Sequence, residues 1–212
     1  MDNIFFRTIG KIVDIFWINI LTLICSLPVV TAGAAITAMF YNLVRMADND
    51  EGALTRGFFR VFKENFKKAT KIWLVILLLL IVFGGNLFLV RIGIMDGYGA
   101  LETASMAVLC VLLGIILMVS VYIFVLLGRY ENTAMKTVKN AALLAVAYLP
   151  KSLCMLVILF FPVALMTLSN YFLYFWFAYG LAFPAYFISM LMVPILRETE
   201  PKEEESHELE NI

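Results

Sequence analysis

Polar residues interrupt this chain only in short patches, and the apolar runs between them set its layout. Six runs stand out, at 12–28, 31–46, 72–90, 103–127, 153–168 and 171–196. At 1.5 Å per helical residue they reach about 24–39 Å, against a hydrocarbon core of about 30 Å. The pattern predicts an all-α fold: a polytopic membrane helical bundle of five to six membrane segments forming one domain over 1–196. Pro28 separates the first two runs, and small residues follow it at Gly33, Ala34, Ala35 and Ala38. Both arms are short, so the second, 31–46, either spans or is re-entrant, and the pattern leaves this open. Ser169 and Asn170 mark a tight turn, and Pro150 opens a helix at a position where proline is tolerated. Pro184 is expected to kink the last run.

Between the second and third runs the period changes. Arg56, Arg60, Lys63, Lys67 and Lys71 recur at steps of four, three, four and four, which is one helical stripe. Phe58, Phe62 and Phe66 repeat every four residues on the opposite side. This predicts a cytoplasmic amphipathic helix over 53–71 that lies where water meets lipid and feeds the 72–90 span. Its basic face fits anionic lipid, with a protein partner as the other reading. Nucleic acid is not expected, since the patch is small and borders a membrane.

Composition agrees with lipid as the solvent. The chain is 63% apolar and 15% charged, with mean hydropathy +0.93. The formal charge is zero, yet seven of the 16 acidic residues follow Leu196, in a tail at 197–212 that is expected to be disordered. Of the 16 basic residues, 15 fall in the N-terminal segment, the loops at 45–71 and 128–151, and the tail, leaving only Arg91 on the other side. Positive charge stays inside, so the expectation is a multi-pass plasma-membrane protein with both termini cytoplasmic. A secretory signal ending at the 31–35 stretch is disfavoured, because Asp14 and Asn19 interrupt the run and the apolar pattern resumes at once.

Candidate chemistry is sparse. The only histidine, His207, lies in the tail, which removes histidine triads and histidine-rich metal sites. Cys25, Cys110 and Cys154 sit in apolar runs and are expected as buried small hydrophobes. No catalytic residue, metal ligand or cofactor site is assigned, and the chain is not expected to be an enzyme. Asp14, the only carboxylate inside a membrane run, is a candidate proton relay or cation site, but is expected instead to pair with Lys11 three residues earlier. Gly33, Ala34 and Ala38 are expected to form a close-packed helix seam. Asn19, Asn86 and the hydroxyls of the first two runs either join helices or line a polar path near the Pro28 break. Asn86 in particular is expected to face another helix.

Three stretches carry a resemblance. SLPVVTAGAAITAMFYNL, FFRVFKENFKKATKIW and KNAALLAVAYLPKSL resemble the YesL family of bacterial integral membrane proteins, over nearly the whole chain up to about Leu196. The family has no established biochemical activity and no site residues to carry over. The resemblance implies a Gram-positive-type plasma membrane protein with a role beside carbohydrate uptake, so a sugar transporter component is the implied partner. The leading expectation is an accessory or regulatory membrane protein. The alternative is a transporter or permease subunit moving a small solute through a polar cavity around Asn19, Thr37 and Asn86. Substrate and oligomeric state are not legible.

Overall fold

The structure is a computed structural model, and it describes residues 2–50, 52–91, 100–166, 177 and 179–199. The fold is all-α, with no strand among the described residues. Helix α1 is Asp2–Ser26. A 3-10 turn, Val29–Thr31, leads into α2, Ala32–Ala47. Then come α3, Leu54–Arg91; α4, Ala100–Arg129; α5, Ala134–Ala147; α6, Leu149–Met166; and α7, Ala182–Thr199. Among the described residues four helices are long and apolar enough to cross a membrane: α1, α2 with its leading turn, α3 and α4. A fifth candidate is the pair α5 and α6, bent by 100° where they meet.

Proline chemistry sets the first break. Helical geometry is disfavoured for the residue before a proline, and α1 accordingly stops at Ser26, ahead of Leu27 and Pro28. The Thr31 hydroxyl then caps the end, 2.5 Å from the Cys25 carbonyl oxygen and 2.7 Å from that of Pro28. Such groups otherwise lack intrahelical partners. In α7 Pro184 falls in the first turn, where a missing N–H is harmless. The chain breaks at the Gly180–Leu181 turn, where Pro184 has no N–H to offer the Gly180 carbonyl four residues back. Residues 171–176 of the aromatic run, the turn at Ser169 and Asn170, and residues 200–212 of the tail lie outside the described residues.

The basic stretch and the third apolar run form one helix. Nothing between Lys67 and Val75 breaks it, since neither glycine nor proline occurs there, and α3 continues for 38 residues, about 57 Å. The 53–71 segment is thus the first half of a long rod and not a separate element.

Helix α2 is the packing centre. Gly33, Ala34, Ala35, Ala38, Phe40, Asn42 and Leu43 are all buried, enclosed by α1, α3, α4 and α7. Small side chains let backbones meet closely. A Cβ on Gly33 would stand 2.9 Å from the Ala69 carbonyl oxygen and collide with Trp73. Lower down, Gly57 of α3 faces Asn42 and Tyr41, so α2 and α3 run antiparallel. Gly128 of α4 closes on the same helix at Thr37 and Tyr41. Around this centre the outward faces stay apolar, with Val75, Leu78, Ile81 and Phe88 of α3, Val108 and Val111 of α4, and Val157 and Phe161 of α6 all exposed. Cys110 and Cys154 lie on such outer faces and Cys25 is half-buried, which corrects the expectation of three buried thiols. An apolar helix face in lipid has no need to hide a small hydrophobe.

Candidate functional site

One end of the bundle gathers the polar chemistry. Lys11 of α1 donates to Asn49 Oδ1, just past the end of α2, at 3.1 Å and to the Met46 carbonyl in its last turn at 3.4 Å. Asn49 holds φ +59°, a left-handed conformation that asparagine tolerates. Arg197, near the end of α7, is ion-paired with Asp48. Arg45 is paired with Asp50 at 2.5 Å, and that hydrogen bond holds the Asp50 carboxyl below the ordinary carboxylate range. Tyr148 donates to Glu198 at 2.7 Å, and Lys68 donates to the Asn132 carbonyl at 3.2 Å. Thus the segment around Lys11, the loop after α2 and the end of α7 are tied together at this end, while Lys68, next to Ala69, joins α3 to the loop before α5 nearer the hairpin's turn.

A cleft of about 540 Å³ opens here, lined by Lys11, Asp14, Trp17, Asn49, Gly52 and Thr55 among others. Trp17 Nε1 donates to the Thr55 hydroxyl at 2.9 Å across it. Lys11 and Asp14 do not form an ion pair. Lys11 reaches to the loop after α2 instead, because oxygen acceptors there compete with a carboxylate on its own helix.

The basic stripe runs along α3 from this end. Arg56, Arg60, Lys63, Lys67 and Lys71 are all exposed, and among the described residues none of them has a carboxylate partner. Arg60 donates to the Tyr41 hydroxyl at 2.6 Å, and the guanidinium carbons of Arg60 and Arg45 lie 5.8 and 5.5 Å from the Tyr41 ring centre. On the other side Phe58 stacks on Phe62, with centroids 6.3 Å apart, and Phe62 meets Phe66 edge-on at 5.6 Å. Phe58 is fully buried in the bundle, Phe62 half-buried and Phe66 exposed. The phenylalanines therefore turn from the bundle outward along the helix.

Asn19 does something no sequence pattern announced. Fully buried in α1, its Oδ1 accepts from the backbone N–H groups of Leu181 and Ala182 at 3.1 and 3.0 Å, and its Nδ2 donates to the Phe177 carbonyl at 2.9 Å. It caps the start of α7 from another helix, filling the orphan donors that every helix N-terminus carries. Four other buried polar groups turn back on their own helices: Thr22 to Ile18, Thr37 to Gly33, Asn42 to Ala38 and Ser189 to Ala185. Buried Ser152 of α6 instead pairs with the Tyr122 hydroxyl of α4 at 2.7 Å and donates to the Ala145 carbonyl of α5 at 3.0 Å, and Ser26 Oγ and Thr70 Oγ1 are buried without a partner. Asn86, expected to face a neighbour, lies exposed and donates to the Val82 carbonyl at 2.7 Å. Its own helix supplies the acceptor, so no partner helix is needed. Asn19, Thr37 and Asn86 do not meet in a common cavity. A groove of about 500 Å³ between α3, α4 and α5 is lined mainly by apolar side chains such as Ile72, Ile76, Ile116 and Val138, together with Lys71. A second, of about 350 Å³, is lined by Ile36, Phe40, Trp73, Phe124 and Ile188 among others. Among the described residues no three carboxylate, thiol or imidazole groups come together to hold a metal ion.

Residues 15–87, from within α1 through most of α3, match the family described as a protein of unknown function, DUF624. No curated protein and no solved structure matches the chain.

Proposed function

We propose that this is a multi-pass plasma-membrane protein of the YesL kind that acts by contact and not by catalysis, as an accessory to carbohydrate uptake. The family match over the hairpin and the basic helix supports the resemblance, and the resemblance supplies the link to sugar uptake. The observation that carries an accessory role over a transporter is the fate of the buried polar groups. A solute path through lipid needs side chains free to replace water. Here Asn19 spends its amide on α7, while the Thr22, Thr37 and Ser189 hydroxyls and the Asn42 amide bond to the backbone of their own helices. Among the described residues the buried hydroxyls without a partner are those of Ser26 and Thr70, on different helices. The distribution of basic residues supports a cytoplasmic location for both termini. The joining of Lys11, Asp48 and Arg197 at one end of the bundle agrees with a shared side. The Lys67 and Lys71 end of the basic stripe then meets the anionic inner leaflet.

The test combines two measurements on one strain. Deleting the protein is expected to lower uptake of a polysaccharide-derived oligosaccharide in whole cells, and the protein purified in mild detergent is expected to bring the matching permease with it. Proteoliposomes holding the protein alone are expected to move no solute. Flux in those proteoliposomes would overturn the accessory reading in favour of a transporter.

A further inference from the structure

The packing register between the α1–α2 hairpin and α3 sets a depth that hydropathy does not. Helix α2 accompanies only the first half of α3, from Gly57 beside Asn42 to Ala69 and Trp73 beside Gly33. The hairpin's turn ends at the same level, where Trp73 Nε1 donates to the Val29 carbonyl at 2.7 Å. Beyond Trp73, α3 runs on to Arg91, about 27 Å further.

The two halves of α3 differ in chemistry. No charged residue lies between Lys71 and Arg91, and Leu74, Val75, Leu78, Ile81, Val82 and Phe88 are exposed there. The half beside the hairpin exposes Arg56, Arg60, Lys63, Lys67, Lys68 and Lys71. A hydrocarbon layer of about 30 Å cannot cover both halves of a rod of about 57 Å. Set over the hairpin's full height, it would hold the cations at a depth where each is strongly disfavoured and leave the apolar half in water. Set over 72–90, it reaches only the hairpin's turn. That turn suits it: Leu27 is 79% exposed, Ile24, Val29 and Val30 are exposed as well, and no charge occurs between Asp14 and Arg45. Lys67 and Lys71 flank Ala69, so they stand at the level of Gly33 and can meet headgroup phosphates while the turn meets acyl chains.

We propose that the α1–α2 hairpin does not cross the bilayer: its turn, with Ile24, Leu27, Val29 and Val30, inserts into the acyl chains of the leaflet that the basic stripe faces. Both arms return to one side, and the occupant of this apolar tip is lipid. The proposal rests on the membrane placement of α3 and is independent of the accessory role.

Single cysteines test it in a chain whose Cys25, Cys110 and Cys154 are replaced by alanine. Leu27→Cys and Val30→Cys probe the tip at exposed positions where folding is undisturbed. Asp96→Cys and Asn49→Cys report the two aqueous sides. A membrane-impermeant maleimide is applied to intact cells and to inside-out vesicles. The expected result is labelling of the two reporters from opposite sides. The tip cysteines should label at least tenfold more slowly than either reporter until detergent is added. A bimane on Val30→Cys should be quenched by spin-labelled lipid. Fast tip labelling from the side of Asp96→Cys would mean a crossing hairpin and overturn the proposal. Fast labelling from the side of Asn49→Cys would put the tip in water and overturn it equally. If the two reporters exchanged sides, the cytoplasmic assignment would fail while the tip result still judged the hairpin.

Discussion

Replacing Asn19 tests whether a single side chain holds the start of α7. It makes three hydrogen bonds, to Leu181 N–H, Ala182 N–H and the Phe177 carbonyl, all between 2.9 and 3.1 Å. Interhelical hydrogen bonds in membrane proteins average about 0.6 kcal/mol each, which puts three near 2 kcal/mol. Loss of a helix cap costs about 0.5–2 kcal/mol, and a backbone group left buried without a partner costs about 1–3 kcal/mol. Since these terms overlap, Asn19→Ala is expected to destabilise by about 2–4 kcal/mol, a Tm lower by about 4–16 °C at this chain length. Asn19→Leu keeps the volume and removes the hydrogen bonds, so it separates the cap from any cavity and should lie close to the alanine variant. Thermal unfolding in detergent gives the first measure, and amide exchange at Leu181 and Ala182 gives the second. Exchange there should rise in both variants while that of Leu43 and Val44 in α2 changes less. A leucine variant with the wild-type Tm and wild-type protection at 181–182 would show that the three bonds contribute nothing.

Four further outcomes follow from the packing and the charges. Ala38→Leu, at a fully buried position of α2, is expected to overpack the seam by about 1–3 kcal/mol, read as a lower Tm. A wild-type Tm would mean that the neighbouring helices yield freely. Gly33→Ala drives a methyl towards Trp73 and the Ala69 carbonyl and should shift the tryptophan emission as well as lower the Tm, whereas an unchanged spectrum would place Trp73 elsewhere. Arg60→Glu, Lys63→Glu and Lys67→Glu together should weaken vesicle association of a 54–73 peptide at least tenfold on anionic lipid and hardly at all on neutral lipid; equal loss on both would remove the electrostatic account. Reporter fusions after Ile212 and within 96–102 should be active on opposite sides of the membrane, and a periplasm-type signal at Ile212 would reverse the assigned orientation.

Much of this architecture was legible in the chain itself. Apolar runs of near-membrane length can hardly be anything but helices in lipid, because every backbone polar group must find its partner within the segment. Pro28 had to end a helix, and the basic stripe with its phenylalanines had to form an amphipathic one. These are local consequences of backbone sterics and of side-chain spacing, and they need no partner to be known. What the chain could not state is register. Gly33 meets Ala69 and Trp73, and Gly57 meets Asn42, only because the small face of α2 finds the one stretch of α3 that it fits. That match, which depends on shape between residues far apart in sequence, sets the hairpin beside the charged half of α3. Asn19 and Asn86 divide in the same way. Each is a lone amide in an apolar run, alike in every local feature. Packing buries Asn19 against the first turn of α7, where two N–H groups and a carbonyl await it, and leaves Asn86 on an outer face with only its own backbone to answer. Hydropathy reports how much a segment prefers lipid, and only the contacts between segments decide how deep each one lies and which of its polar groups are spent.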